Sequence, residues 1–423
     1  MSLVLLIIFA FVSGLCLLLV GPMLMGGRME ALALLLVLVT QLFPLRGIAS
    51  FAAASHHRNR LSLTAFVLLL AELLSMIALV LLPYFSTKTF IVLLELYLSF
   101  TVTVKAVGTF LYAKQGQWSQ FVPSVVVWVA GTQLFWFILF GDPQQKEGAV
   151  FFTCGFLLTV FGTGQLCDFI SLVTRNRRVK GVLSNIRLAL PDITGLLVPL
   201  RTAELLPEET LCSTEADPTG QVEVLFQVSA KGIALAGHCE LCVDGETYTY
   251  GAYDPDSARL FHTLGDGILF RAPREEYLTW CMEHERKKII SYTLKLNGEQ
   301  ETALRKQLAA FEEELVPWEP TLSPRAYASQ VQKLGNVRFY RVTKGRFRTY
   351  FIPTINCVSL TDHLLEKAGI GHAVIMGIKT PGAYMDHLER LYLTDKGTVT
   401  GRRVYTKAVR EKGAEEENYE RKK

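Results

Sequence analysis

Apolar and polar positions fall into two regimes along the chain. Before about residue 175 the apolar residues run together. The stretches 3–25, 29–52, 60–83, 88–113, 121–141 and 148–174 are each long enough, as helices, to cross a bilayer core of about 30 Å. Short connections between them predict antiparallel hairpins. Beyond the boundary the period changes. Residues 222–226, and 232–243 with 246–253, are rich in β-branched and aromatic residues, and Asp244-Gly245 between the last two predicts a hairpin. In that pairing Val243 faces Glu246 and His238 faces Gly251, so His238, Glu240 and Cys242 share one face of the sheet and Cys239 lies on the other. Leu304, Leu308, Phe311 and Leu315 form one stripe of a helix over 300–315. Residues 337–340 and 349–352 read as strands or extended segments. A helix follows, beginning near Asn356 and stopped at Gly369. Residues 181–200 are apolar but interrupted by Arg187, Pro191 and Asp192, which predicts an interfacial or domain-packing segment rather than a seventh span.

Charge follows the same division. Only 8 of the 43 basic and 6 of the 39 acidic residues precede residue 175. The pattern predicts a membrane domain over 1–175, a juxtamembrane linker over 176–221, a folded domain over 222–406 and a charged tail over 407–423. A net charge of +4 spread over both halves lacks the concentrated basic footprint that a nucleic-acid partner requires. Met1 leads straight into apolar residues without a basic region, so no cleavable signal is expected. Arg46, Arg58, Arg60, Lys105, Lys114, Arg175, Arg177, Arg178 and Lys180 collect on one side if both termini are cytoplasmic. The eight cysteines are scattered without framework spacing, as in a reducing compartment. These readings place the chain in a cytoplasmic membrane as a multi-pass protein with the C-terminal domain inside, and make the lipid bilayer its first partner.

Three prolines mark a repeat of about 60 residues: Pro22 precedes Arg46-Gly47-Ile48-Ala49-Ser50-Phe51, Pro83 precedes Lys105-Ala106-Val107-Gly108-Thr109-Phe110, and Pro143 precedes Gln165-Leu166-Cys167-Asp168-Phe169. One helical hairpin per repeat predicts an all-α six-helix transmembrane bundle of three hairpins. Over residues 1–175 this pattern resembles the HdeD-like membrane proteins of bacterial acid stress, which implies a bacterial inner membrane. Glu72 and Glu95 fall at similar depths on adjacent spans. They read either as a carboxyl pair sharing a proton or as polar residues that fix helix packing.

The chemistry lies in the C-terminal domain. Cys357 occupies the first turn of its predicted helix, where free amides and the helix dipole favour a thiolate. A nucleophilic thiol needs a base within reach, and His238 at the start of its strand is the best placed of the eight histidines. Cys239 and Cys242 have the spacing of a metal or redox pair, but on a strand they point to opposite faces and read as packed thiols. Gly237-His238, Tyr248-Thr249-Tyr250-Gly251, Tyr253-Asp254 and Asn356-Cys357, with Thr380–Leu388 and Gly401–Tyr405 later, resemble a permuted NlpC-type papain-like domain over about 225–406. The resemblance implies an α+β papain-like fold in which Cys357 is the nucleophile and His238 the base, with no metal and no cofactor. It also implies a peptidase, amidase or acyltransferase acting on a peptide, amide or lipid-linked substrate. Tyr253 is the choice for the third catalytic group and Thr249 the runner-up, with a dyad or an inactive relative still open. Asp254 and Asp256 flank Pro255 and read as turn caps. The alternative to an enzyme is a non-catalytic membrane stress or scaffold protein whose papain-like domain only binds.

Overall fold

The computed structural model describes residues 3–27, 87–173, 186–189, 222–228, 237–260, 263–285, 287–320, 326–370, 374–377, 379–394 and 398–405. The chain divides into two compact units, Met1–Leu183 and Ser184–Lys423.

In the first unit the described helices are α1 (Leu3–Met25), α2 (Thr87–Lys114), α3 (Trp118–Phe140) and α4 (Pro143–Val173). Glycines decide which of them pack together. Gly14 and Gly21 on α1, and Gly155 and Gly162 on α4, are each seven residues apart, two turns along one face. A Cβ at Gly21 would sit 2.7 Å from the carbonyl oxygen of Gly155, and one at Gly162 would sit 2.7 Å from the amide nitrogen of Leu18. The two backbones therefore touch, as small residues permit in apolar helix pairs. α2 packs on α3, and a buried hydrogen bond of 2.8 Å joins the hydroxyls of Thr109 and Ser124. Pro22 lies inside α1 rather than in a turn.

This arrangement corrects the expected six-helix bundle of three hairpins. Among the described residues only Leu94–Lys114 and Phe121–Phe140 are long and apolar enough to cross a membrane, and Phe11–Met25 is a shorter apolar helix. The spans expected at 29–52 and 60–83 lie outside the described residues. α4 is matched to α1 by glycine contacts, so the closest described helix pair is not a sequence hairpin.

The second unit is built on an eight-stranded antiparallel sheet in the order β12-β7-β2-β3-β4-β6-β9-β8. Its strands are β2 (Val222–Val228), β3 (His238–Val243), β4 (Glu246–Gly251), β6 (Ile268–Pro273), β7 (Lys288–Leu294), β8 (Leu315–Pro317), β9 (Arg338–Val342) and β12 (Val399–Tyr405). Two small sheets accompany it: β1 (Ile186–Ala189) runs parallel to β11 (Val374–Gly377), and β5 (Leu264–Asp266) pairs with β10 (Thr349–Phe351). The helices are α5 (Arg274–Glu283), α6 (Gly298–Glu312), α7 (Tyr327–Val331), α8 (Cys357–Lys367) and α9 (Pro381–Thr394).

The extent of this sheet corrects the α+β papain-like expectation, which counted only the 222–226 strand, the hairpin and two later extended segments. β2 is buried at every position and β7 at five of seven, so neither alternates apolar with polar as a half-buried strand does. β1 falls where an interfacial or domain-packing segment was expected, and its strand pairing with β11 ties that segment into the second unit. The Asp244-Gly245 turn forms as the dipeptide demands, with φ of 51° and 79°.

Helix pairing by glycine is testable within α4. Gly155→Leu forces a side chain into α1 and should destabilise the detergent-solubilised chain by about 1–3 kcal/mol, whereas Gly148→Leu, which meets nothing within 4 Å, should leave the thermal midpoint unchanged. Equal effects of the two would refute the packing argument.

Candidate active site

Asn356 fixes the start of α8. Its side-chain oxygen accepts the amide of Ser359 at 3.0 Å, and its side-chain amide donates to the carbonyls of Ile352 and Lys379, both at 2.7 Å. One residue thus caps the helix and ties it to the chain on both sides. Cys357 follows in the first turn and is 3% exposed. Its sulfur accepts the backbone amides of Cys239 and Val358 and is hydrogen-bonded to the Tyr350 hydroxyl. That hydroxyl also takes the backbone amide of Cys357.

The Cys239 amide is free for this role because the β3–β4 ladder stops early. Pairing runs Val243↔Glu246, Cys242↔Thr247 and Leu241↔Tyr248 and goes no further. Alternate residues of an antiparallel strand address the same neighbour, so Cys239 is the next residue whose amide points towards β4, and it finds the sulfur instead. The expected pairing of His238 with Gly251 therefore does not form. Gly251 pairs with Ile268 of β6, and His238 with Gln227 of β2.

His238 enters β3 from Gly237, whose φ of 72° suits only glycine without strain. Its Nε2 lies 3.1 Å from the Tyr253 hydroxyl. The Tyr253 ring lies over Gly251, where a Cβ would come within 2.8 Å of it, and stacks on Tyr327. The structure thus sets Tyr253 on the His238 imidazole, and the Cys357 thiol on the amide of the residue beside His238.

Behind the imidazole sits Glu240, which is fully buried. Its Oε1 accepts from the Tyr277 hydroxyl at 2.6 Å, the Gln227 amide at 2.7 Å and the Thr249 hydroxyl at 3.2 Å, and lies 4.0 Å from His238 Nε2. Its Oε2 has no hydrogen-bond partner. Lys287 donates to the Gln227 side-chain oxygen at 2.8 Å and brings a positive charge to the same neighbourhood.

Burial governs protonation here. It pushes the Cys357 thiol up to about 11, against the two backbone amides and the Tyr350 hydroxyl that favour thiolate. The helix start acts in the expected direction but is outweighed. Burial, with the Lys287 charge, holds the His238 imidazole down at about 3, and burial lifts the Glu240 carboxyl to about 7 in spite of its donors. Thiol and imidazole both rest uncharged at neutral pH.

Other residues singled out in the sequence take structural places. Thr249 donates to Glu240. Asp254 caps a short turn through the Asp256 amide at 3.1 Å and pairs with Arg341 at 2.7 Å. Cys242 lies in a core cluster with Tyr277 and Cys281, while Cys239 hydrogen-bonds with Thr361 of α8. Among the described residues no group of three or more His, Cys, Asp or Glu could hold a metal. His363 packs on Phe347, His284 on Trp280 and His387 on Tyr384. Glu95 lies half-buried on α2, and Glu72, its expected partner, lies outside the described residues. Sequence reasoning did not place Glu240, Gln227, Tyr277, Lys287 or Tyr350 at the site. Glu240 shared the His238 face in the expected pairing, a signal that could have found it; Tyr277 and Tyr350 come from distant segments that no local pattern connects.

No protein-family model, curated protein or solved structure matches the chain. The resemblances drawn from its motifs gain no support from these comparisons.

Two outcomes follow from this geometry. Asn356→Ala should cost about 1 kcal/mol or more in denaturant unfolding and loosen the first turn of α8, read as faster alkylation of Cys357. A carboxyl raised from 4.5 to about 7 holds its proton more tightly in the folded state, so its contribution to stability is present at low pH and lost as pH rises through that window. Glu240→Gln should therefore gain on the wild type between pH 5 and pH 7 by about 2 kcal/mol. A pH-independent difference in unfolding free energy would contradict this assignment.

Proposed function

We propose that the chain is a membrane-anchored thiol hydrolase or acyltransferase acting on an amide or ester, with Cys357 as nucleophile, His238 as base and Tyr253 orienting the imidazole. The observation that carries the reading is the convergence at the end of the β3–β4 ladder: the sulfur bound to the amide beside His238, and the imidazole held by Tyr253. Nε2 is engaged by Tyr253, which leaves Nδ1 to take the thiol proton. Because thiol and imidazole rest uncharged, that proton moves as the sulfur attacks the substrate carbonyl, and the imidazolium returns it to the leaving amine or alcohol. The Cys357 backbone amide, occupied at rest by the Tyr350 hydroxyl, is the donor nearest the oxyanion that forms. Histidine strand first and cysteine helix last is the order expected of the permuted NlpC-type domains that the motifs resemble.

The membrane anchor rests on the two apolar helical segments, Leu94–Lys114 and Phe121–Phe140. It rests also on the large apolar side chains that α3 leaves uncovered, among them Val122, Val126, Trp136 and Phe140. Such a surface is stable against lipid and costly in water. The proposed location is a bacterial inner membrane crossed more than once, with the C-terminal unit on the cytoplasmic side. A binding-only domain is the second reading, favoured by the burial of the thiol and its elevation to about 11.

The two readings separate in an acyl-trapping experiment on the full-length chain in detergent. Activated acyl esters of increasing chain length are supplied, and acylated peptides are identified by mass spectrometry. An acyl group on Cys357, formed about 100-fold more slowly in His238→Ala and lost in Cys357→Ala, is the expected result. Acylation that ignores His238, or spares Cys357, would leave the binding reading.

A further inference from the structure

Glu240 is buried and ionisable and has no part in the mechanism above. Burying a carboxyl whose second oxygen lacks a partner is costly, and a packed apolar residue would hold the sheet at lower cost. Its position suggests what it does. It stands two residues after His238 on the same strand face, with Oε1 4.0 Å from Nε2. Donors from β2, β4 and α5 fix that oxygen, so it cannot swing away. The Tyr277 hydroxyl that donates to it is itself 3.0 Å from the hydroxyl of Tyr327, and Tyr327 stacks on the Tyr253 that holds His238.

We propose that Glu240 is a positioning residue for the Cys357–His238 pair, supplying the counter-charge for the imidazolium that forms when His238 takes the thiol proton. The inference rests on the thiol-enzyme reading and adds a residue to it. The proton passes from Cys357 Sγ to Nδ1 and later to the leaving group, and Glu240 stays ionised throughout. Lys287 opposes the same imidazolium, so without Glu240 the positive charge would form beside another with nothing to offset it. The groups around the carboxylate are His238, Cys239 and Cys242 on its own strand, Tyr253, Tyr277 and Cys281, Tyr327, Lys287, and Cys357 itself, whose thiolate the same negative charge opposes. Burial holds the tyrosines and thiols in their neutral forms and keeps His238 uncharged at rest. Glu240 is then the group in this cluster that changes charge near neutral pH.

The test follows iodoacetamide alkylation of Cys357 in the full-length chain, resolved by peptide mass spectrometry, for wild type, His238→Ala, Glu240→Gln and Tyr277→Phe. An opposite charge at this range favours the charged form by about one pKa unit or more, so Glu240→Gln should slow alkylation about tenfold at pH 8. It should also erase the step that the wild-type profile shows near pH 7. Tyr277→Phe keeps the charge but removes a donor to it, and should move the step to higher pH. A loss of packing alone would speed alkylation and shift no step. If Glu240→Gln alkylates within about twofold of the wild type and keeps the step, Glu240 has no such role, while a His238→Ala defect leaves the thiol pair standing. Should Glu240→Gln fail to fold, an unmoved step in Tyr277→Phe overturns the proposal by itself. A wild-type rate indifferent to His238→Ala overturns the enzyme reading beneath it.

Discussion

The site depends on where one ladder of hydrogen bonds ends. β3 and β4 leave their hairpin turn paired and separate after Leu241↔Tyr248. A backbone amide released in that way and buried without a partner would cost about 1–3 kcal/mol. Cys239 is buried and avoids the cost by donating to the sulfur of Cys357. The ladder can end there only because α8 begins there, and α8 is held there by the four side-chain hydrogen bonds of Asn356. Strand separation, helix cap and thiol position form one interlocked feature, to which His238 belongs as the residue before the released amide.

Burial then sets the chemistry. Thiol, imidazole and carboxyl are each shifted towards their neutral forms, as desolvation requires when no fixed counter-charge dominates. On the proposed thiol-enzyme reading, charge in such a site is created together, with proton transfer and attack coupled, and every pre-oriented dipole counts for more than it would in water. The layered polar residues behind His238 fit that requirement. Tyr253 touches the imidazole, and Glu240 stands behind it on three donors. An apolar backing would satisfy packing alone and do nothing for a transient imidazolium.

Much of this was legible from local signals. The Asp244-Gly245 turn, the cap at Asn356, the thiol in the first helical turn and a histidine at a strand start each have a residue-level cause that acts within a few positions. The register of β3 against β4 was legible only as far as the turn dictates it, from Val243 to Leu241. The break beyond that point is imposed by a helix more than a hundred residues away, and no strand pattern contains it. One central strand was missed for a related reason. β7 is buried at five of its seven positions, so the alternation that marks a half-buried strand is absent, whereas β2 was legible from its β-branched and aromatic run. Glu240 was visible as a neighbour of His238, but its importance comes from Tyr277 and Gln227, which tertiary structure brings to it.

The first unit makes the same point with apolar helices. Apolarity shows which segments can leave water and says nothing of which ones pair, because one leucine-rich face resembles another. Connection length therefore suggested hairpins. The decisive signal was the seven-residue spacing of Gly14 with Gly21 and of Gly155 with Gly162, which brings two backbones into contact where larger residues would hold them apart. Helices joined by a short turn have proximity supplied by the chain, whereas helices far apart in sequence must find it in shape. The contact between α1 and α4 follows from that difference: the pair that lacks a short connection is the one whose glycines give it the closest fit.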